Sequence, residues 1–534
     1  MQYVFSTPLQ VNHSRIHMND ISARVAALSP EKRKLLLQSL NNKKASVSPQ
    51  IIKTHRETNR FPLSFAQQRL WFLDQLQPGN PAFNIFLPIR LTGQLNLKAL
   101  KRSFNEVINR HEALRTIFTL INGEPFQVII PNLELNIPVI DLQQSPAREA
   151  EVLQLTHQAA QLPFNLAKAP LLRVTLLRLA TTEHVLLLAI HHIIADGWSI
   201  GVLTRELNIL YKSFCQNQPS PLPDLPIQYV DFAVWQRQWL QGEHLAAQIR
   251  YWQHQLANIS VLQLPTDYPR PTVQTFRGAR QAFVLPKPTL EKLKVINAHK
   301  GITLFMTLLA AFQSLLYWYT GQEDIAIGTD IANRNQSETK DLIGFFANQL
   351  VLRTNLSGNP TFEELLQRVR EITVDAYANQ DLSFDKLVDI INPERRLNRS
   401  PLFQVKIILE NTQSSNLDLT GLTVSPAKLE NPTTQLDLLL ELTEKQEGLV
   451  GVLEYDTDLF NDTTARQVLN NFEAILHHII EQPNIYLQDL IKKITQSNKQ
   501  NELIQNQKTK AEYQQKLKLI KRKIIQTHNM EVAE

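Results

Sequence analysis

The chain has 534 residues, 55 Lys and Arg against 50 Asp and Glu, and a formal net charge of +5; that length allows about three domains, or one large two-lobed one. An apolar content of 43% with 20% charged residues excludes a disordered or fibrous chain. The single Cys215 excludes an intrachain disulfide and every multi-cysteine metal site, no metal site is read elsewhere in the sequence, and a reducing cytoplasm is the default. The charge is concentrated at the ends, with +7 over residues 1–60, +6 over 491–534 and −8 over 61–490, which argues against a nucleic-acid surface on the body.

In chain order, residues 1–60 read as a basic leader with a short helix opened by Ser29-Pro30-Glu31. From Phe61 the pattern is mixed α/β. Ser64 caps a helix to Leu76, Leu97 to Arg110 forms a second, and Leu114 to Val128 makes a hairpin about Asn122-Gly123. Leu171–Leu179 and Val185–Ile190 are neighbouring strands, the second apolar throughout and so expected to be buried on both faces. A helix from Ile200 to Phe214 and a long helical stretch from Gln228 to Asn258 follow. Ile302 to Gln322 lacks charge and is long enough to span a bilayer, but its Thr, Gln and Ser residues predict a buried core helix, and no membrane span is expected. Strands are predicted at 324–328, 350–356, 404–410, 436–444 and 449–455, with helices at 362–379 and 463–481. Residues 491–534 read as a basic tail, amphipathic through Leu517, Ile520 and Ile524.

The strongest chemical signal is His191-His192-Ile-Ile-Ala-Asp196-Gly197-Trp198-Ser199, between a buried strand and a helix. A strand end is a rigid mount for an imidazole that positions a nucleophile or takes its proton. Asp196 can orient that ring, cap the helix or bind a distant arginine; by spacing alone, the pair equally suits a structural strand end.

Taken with Ser64–Leu73, Arg110–Phe118, Tyr229–Gln236, Gly328–Arg334 with Glu338, Ile343–Arg353, Asn379–Asp381 with Phe384, and Arg399–Leu402, the motif resembles the ordered series of nonribosomal peptide synthetase condensation domains over about residues 61–490. The resemblance implies an α/β fold of two chloramphenicol acetyltransferase-like lobes, 61–237 and 238–490, in a V-shaped pseudo-dimer with a central tunnel. It implies amide formation between donor acyl and acceptor aminoacyl thioesters, both on 4'-phosphopantetheine arms of carrier proteins, with no cofactor bound covalently. By its first motif and Arg110-His111-Glu112 the chain is most similar to the subtype joining two L-residues.

Residue by residue, the resemblance gives His192 as the catalytic histidine, His191 as the structural one, and Asp196 as the partner of an arginine, with Arg69 the expected one. Gly197 supplies the backbone turn and an amide near the developing oxyanion. Trp198 and Ser199 support the motif, and Asn348 lies where the second lobe reaches the tunnel. Ala195, Ala347 and Gln349 depart mildly from the usual pattern. No Gly-Gly-x-Ser attachment site or Gly-rich adenylation loop occurs in the 534 residues, so peptidyl carrier proteins and adenylation-containing modules are the expected partners, in trans or on a longer chain.

Overall fold

The computed structural model describes residues 50–298, 301–394, 396, 398–410, 417–427 and 434–500. The expected helix after Ser29 and the amphipathic spacing at Leu517, Ile520 and Ile524 lie outside them. Two hydrophobic cores form around two principal sheets. The first gathers Leu63, Phe104, Leu186, Ile190 and Tyr211; the second gathers Trp252, Phe312, Leu352, Tyr455 and Phe472.

The first sheet orders five strands as Leu422–Pro426, Asn84–Gly93, Glu183–His191, Leu172–Ala180 and Val139–Asp141. Glu183–His191 is central and buried from His184 onward. Its alternate side chains enter different clusters, Leu186, Leu188 and Ile190 on one face and Val185 and Leu187 on the other, because successive strand residues point to opposite faces. A smaller three-stranded sheet contains the hairpin Thr116–Ile121 and Glu124–Ile129. Its turn residues Asn122 and Gly123 both have positive φ, +54° and +83°, which suits a right-twisted two-residue hairpin.

The second sheet orders Asn348–Asn355, Asp324–Ile331, Val405–Glu410, Leu438–Lys445, Gly448–Asp456 and Gly278–Pro286. The uncharged segment is the helix Leu304–Thr320, buried continuously from Phe305 to Leu316 and capped by Thr303, whose hydroxyl accepts the Met306 N–H. No helix among the described residues is long and apolar enough to cross a membrane. The stretch from Gln228 divides into helices Tyr229–Trp239 and Gly242–Gln255, since Gly242 at φ +53° interrupts the helical path.

Three segment boundaries shift. Ile51 is buried, and Arg56 forms ion pairs with Asp231 and Glu112, so the fold begins before residue 61. Residues 487–500 are helical and bury Leu487, Leu490 and Ile494 in the second core, so it also continues past 490. Leu422–Pro426, from the second half, pairs with Asn84–Gly93 of the first sheet; this covers an edge that would otherwise present unpaired amide groups.

Candidate active site

The central strand Glu183–His191 ends in a single 3-10 turn, His192–Ile194, before the helix Gly197–Cys215. His191 is 2% exposed, and its Nδ1 accepts the Ile193 N–H at 3.1 Å. That bond fixes the neutral tautomer and the turn. Burial, and then the neighbouring His192, push its pKa down to about 3. His192 is half-buried and meets Phe345 edge-on at 5.3 Å. Its Nδ1 is buried without a hydrogen bond, so Nε2 is the nitrogen that can face the cavities the ring lines. Burial lowers its pKa against the opposing pull of Asp196, the Ala195 backbone and Asp330, keeping the imidazole neutral and able to accept a proton.

These depressed values have a stability consequence with a definite sign. Between the folded pKa of about 3 at His191 and an unfolded value of about 6.5, the unfolded chain binds more protons, so stability falls as pH falls through that window. We expect the urea midpoint of wild type to fall relative to that of His191→Phe between pH 6.5 and 3. A constant difference contradicts the assignment.

Asp196 caps the helix, its Oδ1 accepting the Ser199 N–H at 2.8 Å and the Ser199 hydroxyl at 2.7 Å. The same oxygen accepts Arg334 Nη2 at 3.0 Å, with both side chains 1% exposed. Arg334, not Arg69, is therefore its arginine. Arg69 Nε lies 3.2 Å from Asp385 Oδ1 and its guanidinium lies over Phe384; that ion pair holds it on the other side of the site. Of the three roles open to Asp196, capping and arginine binding are both made, and no hydrogen bond joins it to the His192 ring among the described residues.

Five consecutive second-half residues are strapped to first-half side chains. His111 Nδ1 accepts the Ile343 N–H at 3.3 Å, and Ser199 Oγ accepts the Gly344 N–H at 3.0 Å. Tyr229 donates to the Phe345 carbonyl at 2.6 Å, and Asp196 Oδ2 accepts the N–H groups of Phe346 and Ala347 at 3.0 and 3.3 Å. Trp198 Nε1 adds a bond to the Lys340 carbonyl at 2.8 Å, and His111 is fixed by Glu206 at 2.8 Å. The motif residues Asp196, Trp198 and Ser199 thus form a latch between the halves and leave His192 to the cavity. Sequence reasoning missed Arg334, His111, Glu206 and Tyr229 as its members; each lies in or beside a recognised segment, but their pairings span roughly 100 residues or more.

Gly344 is required by this packing, because a Cβ there would sit 2.0 Å from the buried Tyr229 ring. Gly344→Ala is expected to destabilise by about 1–3 kcal/mol through overpacking, whereas Gly197→Ala should stay within about 0.5 kcal/mol of wild type or exceed it. Equal melting temperatures for the two variants contradict the geometry.

Gly197 corrects an expectation. Its φ is not positive, and an added Cβ meets nothing within 4 Å, so the turn does not demand glycine. It lines a cavity of 610 Å³ together with Ile200, Gly201 and Thr204 of the same helix face, and with Lys406, Glu441 and Arg280 of the second sheet. A second cavity of 160 Å³ is lined by Ala66, Phe83, Phe345, Asn348 and Asp385. His192, Arg69, Gln349, Lys406 and Gln435 line both. Asn348 lines the smaller cavity, and its amide also pins the chain beyond, donating to Gln380 and Leu382 carbonyls and accepting the Phe384 N–H.

The condensation-domain family model matches residues 57–504, and the chain belongs to that family. It is 43% identical over 419 residues to malpinin synthetase from Mortierella alpina, covering 78% of this chain and 5% of that protein. It is 39% identical over 475 residues to a phosphinothricin tripeptide synthetase from Streptomyces viridochromogenes, covering 87% of this chain and 43% of that protein. The chain therefore spans less than half the length of either relative. Among solved structures it is similar to the X-domain from teicoplanin biosynthesis, with a TM-score of 0.74, 27% identity, and coverage of 83% of this chain and 99% of the other.

Proposed function

We propose that the chain joins a donor acyl or peptidyl thioester to an acceptor aminoacyl thioester, both carried on phosphopantetheine arms. The observation that carries this reading is that one ring, His192, lines both cavities, while burial favours its neutral form. The acceptor amine attacks the donor carbonyl, the C–N bond forms, the C–S bond breaks, and the amine's proton passes through His192 Nε2 to the leaving thiolate. An α-amino group has a pKa of about 8, so a useful fraction is already neutral and positioning contributes beside proton transfer. Gly197 opens its helix and lines the larger cavity; in this reading its N–H, one of the helix's unpaired first-turn donors, meets the developing oxyanion.

The partners in this reading are peptidyl carriers and adenylation-containing modules of a cytoplasmic synthetase, and the reaction is the joining of two L-residues. The test supplies carrier-bound donor with amine and alcohol acceptors in parallel: amide alone is expected, and ester alone would move the chain to a different acyltransfer. A second reading, a recruiting module without chemistry, draws on the similarity to an X-domain solved in complex with OxyB; carrier binding with no turnover would favour it.

A further inference from the structure

The larger cavity has a wall whose composition does not follow from condensation chemistry. In the second sheet Lys406 is in register with Gly328 and Leu439, Leu439 with Glu454, and Glu454 with Arg280. Because alternate residues share a face, that row and the next two on the same face place Asp330, Lys406, Glu410, Glu441, Glu454 and Arg280 on one side of the sheet. All but Asp330 line the 610 Å³ cavity, and Asp330 lines the smaller one.

The two cations are already matched. Lys406 Nζ lies 3.1 and 3.2 Å from the Asp330 oxygens, and Arg280 donates to Glu454 Oε2 at 3.0 and 2.7 Å. Glu441 is left half-buried, with no hydrogen bond or ion pair among the described residues, while Glu410 is exposed at the rim. The Glu441 pKa is raised, by burial first and then by Glu454, Glu410 and Asp330 against Arg280. A half-buried carboxylate among carboxylates is a costly arrangement that a cationic ligand relieves.

We propose that this wall reads the side chain of one aminoacyl substrate by charge, that Glu441 is its specificity-determining residue, and that the side chain it takes is cationic. The inference rests on the condensation reading for its substrate and deepens it. The uncharged helix face of Gly197, Ile200, Gly201 and Thr204 also lines the 610 Å³ cavity, a surface that suits the aliphatic stem carrying such a charge.

The test compares lysyl with L-2-aminoheptanoyl, an uncharged chain of the same length, each loaded on the acceptor carrier opposite an alanyl donor and then on the donor carrier opposite an alanyl acceptor. In one of the two arms kcat/KM should favour lysyl about tenfold, the scale of one charge-assisted contact. The preference should fall to near one in Glu441→Gln and reverse in Glu441→Lys, with far-ultraviolet circular dichroism unchanged. Equal rates for the two residues in both arms, or an unaltered ratio in Glu441→Gln, overturn the inference. A parallel measurement uses the non-reactive lysyl and 2-aminoheptanoyl pantetheine amides in calorimetry. Charge preference there sustains the inference even when no pairing turns over, an outcome that would overturn the condensation reading alone; equal affinities overturn the inference independently of turnover.

Discussion

His192→Ala is expected to lower the single-turnover rate of condensation about 10²- to 10⁴-fold, the span of general acid–base contributions, with a melting temperature close to wild type. The second expectation follows from burial: the ring is half-buried and lines open space, so its removal creates no new enclosed void. The pH profile separates its two possible contributions. With a folded pKa held below the usual imidazole value by burial, a proton-accepting His192 gives wild type an acid limb below about pH 6.5 that the variant lacks. If positioning carries the effect, wild type and variant share one profile, set by the acceptor amine, at different heights. A rate loss under tenfold contradicts a catalytic role for His192.

Asp196→Ala should produce the largest loss of stability. The substitution leaves the Arg334 guanidinium buried without its carboxylate, and breaking one side of such a pair costs about 3–5 kcal/mol. It also removes the N-cap of the helix Gly197–Cys215, worth about 1 kcal/mol, and the acceptor for the Phe346 and Ala347 amides. The sum approaches a typical whole-domain stability of about 5–15 kcal/mol. The expected result is a strongly lowered urea midpoint or insoluble protein. Arg334→Met with Asp196→Leu should recover part of the loss, because the unpaired buried charge is gone. If Asp196→Ala melts within a degree or two of wild type, the latch is not an important contributor.

Much of the fold was legible because its elements have strong local signals. The apolar run before His191, the Asn122-Gly123 turn and the uncharged helix after Thr303 each emerged in the expected form. Strands such as Asn84–Gly93 and Leu422–Pro426 were not predicted. The first is half-buried along most of its length, and the second takes its place only by pairing with a strand some 330 residues away, which no local pattern encodes. At the site, the His191–Ser199 motif and the family resemblance located the His192 segment, but the resemblance pointed to Arg69 rather than Arg334 for Asp196. Both are arginines in recognised segments, and only the tertiary path places Arg334 at 3.0 Å. Gly197 looked like a turn residue because glycine commonly serves that need; its open cavity-side environment is a property of the packing around it. The charged wall was hidden for a related reason. Lys406, Glu441 and Glu454 lie in three different strands, each flanked on both sides by apolar or aromatic neighbours, and only sheet register brings them onto one face.

The most direct measurement mixes the protein with an acyl-loaded donor carrier and an aminoacyl-loaded acceptor carrier and follows the acceptor by intact mass. The acceptor is expected to gain the mass of the donor acyl group while the donor arm returns to its free thiol. An acceptor mass that never changes across cognate donor–acceptor pairings, with the donor thioester intact or merely hydrolysed, contradicts it.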